Sequence, residues 1–187
     1  AASGRLGGAP LNSLVGEVRL LHGTAPKHLH SILFGGLDPH IADNGMFGRG
    51  TYFAENAGKN DQYVGKDERQ GGSLSSLHDK LYRRGGTAHP GNVYYILVCR
   101  VAMGCYVSTK DGQRSADGAI GNIWAVHHKE LCAIEGGMPP VHHHALVAEA
   151  GPGCRVLRHR EFLMYHKSRI YPAYLLAYQR VMPVLTV

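Results

Sequence analysis

The chain has no long hydrophobic run. Nothing in its 187 residues approaches the roughly 20 consecutive apolar residues needed to cross a bilayer. Its opening, Ala1-Ala2-Ser3-Gly4-Arg5, lacks the apolar stretch of a secretion signal, so no membrane association is expected. Charge is also scarce, at 18% of residues against 44% hydrophobic. That balance excludes a chain dominated by disorder and leaves apolar mass for one real core. Cysteine is sparse: Cys99, Cys105, Cys132 and Cys154 form no Cys-x-x-Cys spacing and read as reduced thiols of an intracellular protein, nuclear or cytoplasmic. There is no internal repeat, and no Lys/Arg block longer than Arg83-Arg84, so no nucleic-acid stripe is visible.

Glycine, by contrast, is abundant at 25 residues, which implies many tight turns and places where backbone approaches a ligand closely. The net charge is +6 with 13 histidines, and the pI is about 9.2. Such a balance suits ordinary solubility and also a polyanionic partner such as a dinucleotide pyrophosphate; nucleic acid is compatible with it but not required.

Residues 1–12, rich in Gly, Ala and Pro, read as a flexible arm or linker, and 13–187 as one domain. Val18-Arg19-Leu20-Leu21 predicts a strand that ends at His22. Pro26 and Gly35-Gly36 bracket a short helix over 27–34. Residues 38–50 carry turn signals and predict a loop, followed by a short strand at Thr51-Tyr52-Phe53. Asn56 is placed to cap a helix reaching about Val64. The polar, glycine-rich stretch 65–92 predicts a long functional loop. Residues 93–103 are β-branched and aromatic almost throughout and predict a central strand buried on both faces. Residues 104–140 read as glycine-broken loops with one strand near 122–126, and further strands are predicted at 145–148, 161–165 and 174–178. Many short strands, two early helices and no βαβ repetition predict an α+β domain.

Three residues beside these strands carry chemistry. His22 precedes Gly23 and Thr24, Tyr52 lies in Gly50-Thr51-Tyr52-Phe53-Ala54-Glu55, and Glu161 starts Glu161-Phe162-Leu163-Met164-Tyr165. In this order and spacing the set resembles the His-Tyr-Glu triad of the diphtheria-toxin-like ADP-ribosyltransferases, the poly(ADP-ribose) polymerase family. The likeness runs from about Val18 to Gln179. Gly45-Met46-Phe47-Gly48, Gln62-Tyr63-Val64 and Ile170-Tyr171-Pro172-Ala173-Tyr174-Leu175 resemble its tankyrase branch most in wording.

The resemblance implies an ADP-ribosyltransferase fold, with two small, mostly antiparallel sheets forming a cleft for NAD+. It implies transfer of ADP-ribose from NAD+ to protein acceptors, the chain itself included, with release of nicotinamide. It also implies roles. Glu161 would accept a hydrogen bond from the nicotinamide ribose and oppose the cation that forms as the glycosidic bond breaks. His22 would hold the adenosine ribose, and Gly23 would pair with the carboxamide. Tyr52 and Tyr63 would sandwich the nicotinamide ring, where stacking adds roughly 1 kcal/mol beyond buried area. Thr24, Phe53, Ala54, Lys59 and Asn60 complete the NAD+-contacting set. A Glu in the third triad position permits chain extension to poly(ADP-ribose) without ensuring it.

The chain departs from the family pattern in two places. Where the family reads Ser-Lys-Ser, this chain reads Gly58-Lys59-Asn60, so an amide replaces the hydroxyl that usually meets the carboxamide. Tankyrases also carry a Cys/His zinc-binding insert after the Tyr63 region, whereas 65–92 holds His78 and His89 without Cys; no metal is expected there. His127-His128 and His142-His143-His144 invite a metal reading too, but adjacent side chains on extended backbone diverge rather than converge on one ion. The chain reads as part of a larger multidomain protein. Two other readings stay open: a catalytically weak NAD+ or ADP-ribose binding module, and an NAD+ hydrolase or nucleic-acid-end transferase.

Overall fold

The computed structural model describes residues 9–42, 44–68, 71–126, 130–154 and 157–181. Seven strands form the main sheet: β1 (Glu17–Gly23), β4 (Thr51–Ala54), β5 (Tyr94–Ala102), β6 (Tyr106–Thr109), β9 (Ala145–Ala148), β10 (Glu161–Met164) and β11 (Ile170–Tyr178). Their order is β11-β5-β1-β4-β10-β9-β6. Two small ribbons accompany it, β2 (Asn44–Gly45) with β3 (Gly48–Arg49) and β7 (Trp124–Val126) with β8 (Glu130–Leu131). The helices are α1 (Pro26–Gly35), α2 (Ala57–Asp61) and α3 (Ser75–Leu81). This is the mixed α and β content expected, and it is compatible with an ADP-ribosyltransferase fold.

The expected pair of separate sheets is corrected in one respect: here they join. Three strands, β11-β5-β1, pair over their lengths, and so do β4-β10-β9-β6. Between the two groups, β1 and β4 share the single register pair Leu21↔Ala54. The sheet is therefore nearly split along that seam, because β1 stays on β5 while β4 turns toward β10. All pairings in the main sheet are antiparallel except β6 with β9.

Alternation along the strands builds two cores. Leu20, Leu97, Cys99 and Val101, with Phe53, Phe162 and Met164, pack against Leu29 and Ile32 of α1 and Leu77 of α3. Fully burying each such leucine is worth about 1.5–3 kcal/mol. Leu146, Ala148 and Leu163 face the other way, onto Phe47, Trp124, Leu131 and Tyr165. β9 and β10 are thus buried on both faces, which explains their lack of a polar alternation. Cys99 sits fully inside the first core, where burial pushes its thiol up to about 12.

Several boundaries differ from expectation. The stretch 65–92 is not all loop: it folds α3 and two short 3-10 turns, Gly72–Leu74 and Arg83–Gly85. Its second helix-like face is apolar, with Leu74 and Leu77 buried against α1. The helix capped by Asn56 stops at Asp61 rather than near Val64, closing with a tight bond from Tyr63 N–H to the Asn60 carbonyl. β6 lies where a loop was expected, and β11 begins four residues earlier, running through Pro172. It can do so because β11 is an edge strand whose pairing shifts between Pro172 and Tyr174. Of the arm, Ala9 and Pro10 are held through their carbonyls by Arg100.

Candidate active site

The seam between β1 and β4 collects most of the residues singled out by sequence. His22 ends β1, and its Nδ1 lies 2.8 Å from the Tyr52 carbonyl. A carbonyl only accepts, so Nδ1 carries the proton and the neutral ring keeps Nε2 as an acceptor. Burial holds the His22 pKa below the ordinary histidine value, with the Tyr52 hydrogen bond only partly opposing that. The ring also abuts Phe53 at 5.5 Å between centroids. Phe53 itself turns into the main core and meets the site through that ring contact.

Tyr52 and Glu161 follow from strand register. Tyr52 pairs with Leu163 and Ala54 with Glu161, so with a side-chain period of two they share one face. The Tyr52 hydroxyl is already engaged: Phe47 N–H donates to it at 2.9 Å, and it donates to the Gly48 carbonyl at 2.8 Å. It thereby pins the β2–β3 ribbon against β4. Desolvation, with the nearby Glu161 charge adding to it, pushes the phenol up to about 12. A Cβ on Gly45 would lie 2.3 Å from the Tyr52 hydroxyl, so the ribbon closes only with glycine there.

Glu161 is 6% exposed. Its Oε1 lies 2.8 Å from Lys59 Nζ, which is also 3.0 Å from the Tyr63 hydroxyl. Burial alone would lower the Lys59 pKa, but the bonds to Glu161 and Tyr63 outweigh it and raise the value above that of a free lysine. Lys59 thus links the carboxylate to Tyr63, whose ring stands 57% exposed with the ammonium 5.1 Å from its centre. Among the described residues, Glu161 Oε2 and His22 Nε2 have no protein partner. Both atoms are acceptors left open at the seam.

Asn60 takes a different arrangement from the one the resemblance implies, and Gly23 packs directly against it. A Cβ at Gly23 would lie 2.2 Å from the Asn60 carbonyl oxygen, so glycine is needed to let α2 sit on the end of β1. Asn60 is buried, and its amide donates to the carbonyls of Asn56 at 2.9 Å and Ala54 at 3.3 Å. The donor that would face a ligand carboxamide is therefore engaged in fastening α2 to β4. Thr24 lies half-buried between β1 and α1, and Ala54 is buried at the seam.

Sequence reasoning missed the surroundings of Glu161. Arg160 donates to both Glu55 oxygens at 2.8–3.3 Å and stacks over Phe162, bracing the strand ends on either side of the carboxylate. It also missed Asp67, which meets His78 and His89; one ligating atom from each lies within 4.8 Å of the others. The histidine run behaves differently: Nδ1 of His142 meets the Leu131 carbonyl, Nδ1 of His143 that of Cys132, and Nδ1 of His144 the Cys105 N–H. Those three rings are turned to three separate backbone groups, while His127 and His128 lie outside the described residues. A groove of about 570 Å³ lined by Phe34, Arg100, Lys167 and Arg169 opens at the other end of β1, beside Glu17. It lies about five residues from His22 along the strand, on the order of 17 Å away, and is no part of the site. No helix among the described residues is long and apolar enough to cross a membrane.

Among known protein families, residues 9–180 match the family model described as "Poly(ADP-ribose) polymerase catalytic domain".

Proposed function

Because the chain belongs to the poly(ADP-ribose) polymerase catalytic-domain family, which uses NAD+ as its substrate for ADP-ribosyl transfer, we propose that this domain is itself an active transferase working at the β1–β4 seam. The observation that carries the reading is the buried Glu161 carboxylate, held by Lys59 through one oxygen with the other open.

Cleavage of the nicotinamide–ribose bond places positive charge on C1′ and the ring oxygen, as in glycoside hydrolysis. In this reading Glu161 opposes that charge from a fixed, poorly solvated position, where its effect is larger than in water. Its free oxygen accepts from a ribose hydroxyl. Neutral His22 accepts at Nε2 from the adenosine-side ribose and contributes binding rather than proton transfer. Tyr63 and Tyr52 flank the nicotinamide, Tyr63 supplying the exposed ring and Tyr52 the wall tied to the β2–β3 ribbon. Gly23 backbone groups orient the carboxamide without help from the Asn60 amide, Thr24 and Ala54 shape the floor, and Phe53 backs the His22 ring from the core side. Acceptors are proteins, this chain included. Glu161 permits extension to a polymer without ensuring it, since the acceptor loop must also seat an ADP-ribose end.

The reading is tested by incubating the domain with labelled NAD+, with chelator and nuclease present, and separating the products on a gel. Undiminished labelling is expected, a smear marking polymer and a discrete shift marking single transfer. Binding of NAD+ with neither labelling nor nicotinamide release would replace the enzyme by the binding-module reading.

A further inference from the structure

The buried cluster around Asp67 lies outside the proposed catalytic seam and organises the long segment between α2 and β5. Asp67 Oδ2 accepts from three side chains: His78 Nε2 at 2.7 Å, Tyr95 hydroxyl at 2.9 Å and His89 Nε2 at 3.2 Å. Two backbone bonds, Asp67 N–H to the Val93 carbonyl and Val93 N–H to that of Asp67, staple the same residue to the start of β5. His78 is completely buried, and the His89 side chain is 2% exposed. Two histidines and a carboxylate this close are also what a divalent metal ion would want.

The hydrogen bonds on the far side of each ring decide between the two. Gly71 N–H donates to His78 Nδ1 at 3.0 Å, and Gly91 N–H donates to His89 Nδ1 at 3.1 Å. A backbone N–H cannot accept, so both Nδ1 atoms are unprotonated and both neutral rings carry their proton on Nε2. Those protons point at Asp67, and no Nε2 lone pair remains for a metal. A metal-bound histidine needs the reverse tautomer, with Nδ1–H donating outward; here each would meet another donor. The 2.7 Å separation is a charge-assisted hydrogen bond, shorter than the spacing of two ligands around a tetrahedral ion.

We propose that Asp67 is a positioning residue: its carboxylate, gripped by His78, His89 and Tyr95 without a metal, fixes the segment that presents Tyr63 to the nicotinamide side of the cleft. Tyr63 stands four residues before Asp67. The segment is tied on its other side by Asp61, which accepts from Tyr178 and Arg180 of the β11 end. Between the two aspartates, Gly65 packs so closely on Pro26 that a Cβ would lie 2.7 Å from that ring. Among the described residues, the Tyr63 side chain has only Lys59 as a polar partner, so the placement of its ring depends on this doubly anchored backbone. The inference rests on the transferase reading for the identity of the ligand, but not for the lock itself.

The test compares the whole chain with Asp67→Asn, His78→Gln and His78→Ala. Hydrogen exchange is read over 61–68, and binding is measured separately for a benzamide-type nicotinamide mimic and for ADP-ribose. Metal content is measured on the untreated and chelated protein. The lock predicts faster exchange over 61–68 in Asp67→Asn. It predicts mimic affinity weakened about tenfold while ADP-ribose affinity changes little, since misplacing one wall affects only what stacks on it. His78→Gln, which keeps an N–H donor but is a poor metal ligand, should retain more of both properties than His78→Ala. Stoichiometric metal whose removal speeds exchange over 61–68 would overturn the proposal, as would equal loss of both ligands. Absence of binding by the unaltered chain to either ligand would sink the transferase reading instead, and the exchange data would then decide the lock alone.

Discussion

Replacing Glu161 by Gln is the most direct perturbation of the site. Gln keeps the shape and still offers an oxygen to Lys59 Nζ, now 2.8 Å from the carboxylate. Two consequences follow, and they separate in measurement. The ground-state cost is the exchange of an ion pair for a hydrogen bond from the Lys59 ammonium to an uncharged amide oxygen, about 1 kcal/mol. In a domain of this size that lowers the melting temperature by roughly 2–4 °C. The transition-state cost is larger. A unit charge about 4 Å from the developing cation, at an effective dielectric near 20, is worth roughly 4 kcal/mol, and losing one such contact typically costs on the order of 10²–10³ in rate. In the variant Lys59 remains as an unopposed positive charge beside that cation, so the loss should lie toward the upper end. Lys59→Met added to Glu161→Gln should recover part of it. The assay is nicotinamide release at saturating NAD+, with NAD+ affinity measured by calorimetry. Turnover should fall while affinity changes little, because the contact strengthens only as the bond breaks. Unchanged turnover, or a fall fully accounted for by weaker binding, would refute the electrostatic assignment of Glu161.

Other outcomes follow from the same geometry. His22→Ala should weaken NAD+ binding more than turnover, since its contacts exist in the ground state; calorimetry beside kinetics checks this. Gly23→Ala places a methyl 2.2 Å from the Asn60 carbonyl and should displace α2, lowering the melting temperature and mimic affinity together, whereas Gly35→Ala, in open space, should do neither. Asn60→Ser removes a buried amide donating to two carbonyls and should destabilise the fold by about 1–3 kcal/mol in denaturant titration; a more stable variant would contradict the role given to that amide. Because burial depresses the His22 pKa, the unfolded chain binds a proton there that the folded chain resists. That contribution to stability is complete above the unfolded value near 6.5 and is lost as pH falls toward the folded one, and His22→Gln should flatten this part of a pH–stability profile.

Legibility in the sequence tracked the kind of signal each element carried. β4 and β5 are readable because β-branched and aromatic residues cluster there, β1 and β10 as short apolar runs, and α1 because Pro26 and Gly36 mark its ends. The site residues came from the ordered motifs around His22, Tyr52 and Glu161 rather than from periodicity. α3 was hidden because Ser75-Ser76 and His78-Asp79-Lys80 look like a polar loop, and only the contact with α1 gives Leu77 a buried face. β6 was hidden because it is only four residues long between Gly104 and the Asp111-Gly112 turn, although Tyr106, Val107 and Thr109 all favour a strand. The Asp67 cluster left no local trace, since His78 and His89 lie 11 and 22 residues away and their tautomers depend on backbone N–H groups that only the folded loop supplies.

What sets the seam apart from the rest of the sheet is the geometry of strands that part company. Were β1 and β4 paired along their lengths, the edge groups of Gly23 and the space beside Glu161 would be consumed by ladder hydrogen bonds. Instead one register pair, Leu21↔Ala54, holds them together, and the chain fills the remaining gap with particular contacts. The His22 ring bonds to the Tyr52 carbonyl across it. α2 closes one side, its approach allowed by the missing side chain at Gly23 and fastened by the Asn60 amide on the Ala54 carbonyl. The β2–β3 ribbon closes the other through the Tyr52 hydroxyl, its approach allowed by the missing side chain at Gly45. Two glycines, each opposite a group that a methyl would strike, thus let α2 and the β2–β3 ribbon close on β1 and β4. Glu161 and His22 lie on different strands of different sheet halves, and the core that spans both halves, with Leu20 and Leu97 packed against Phe53 and Phe162, is what fixes their spacing.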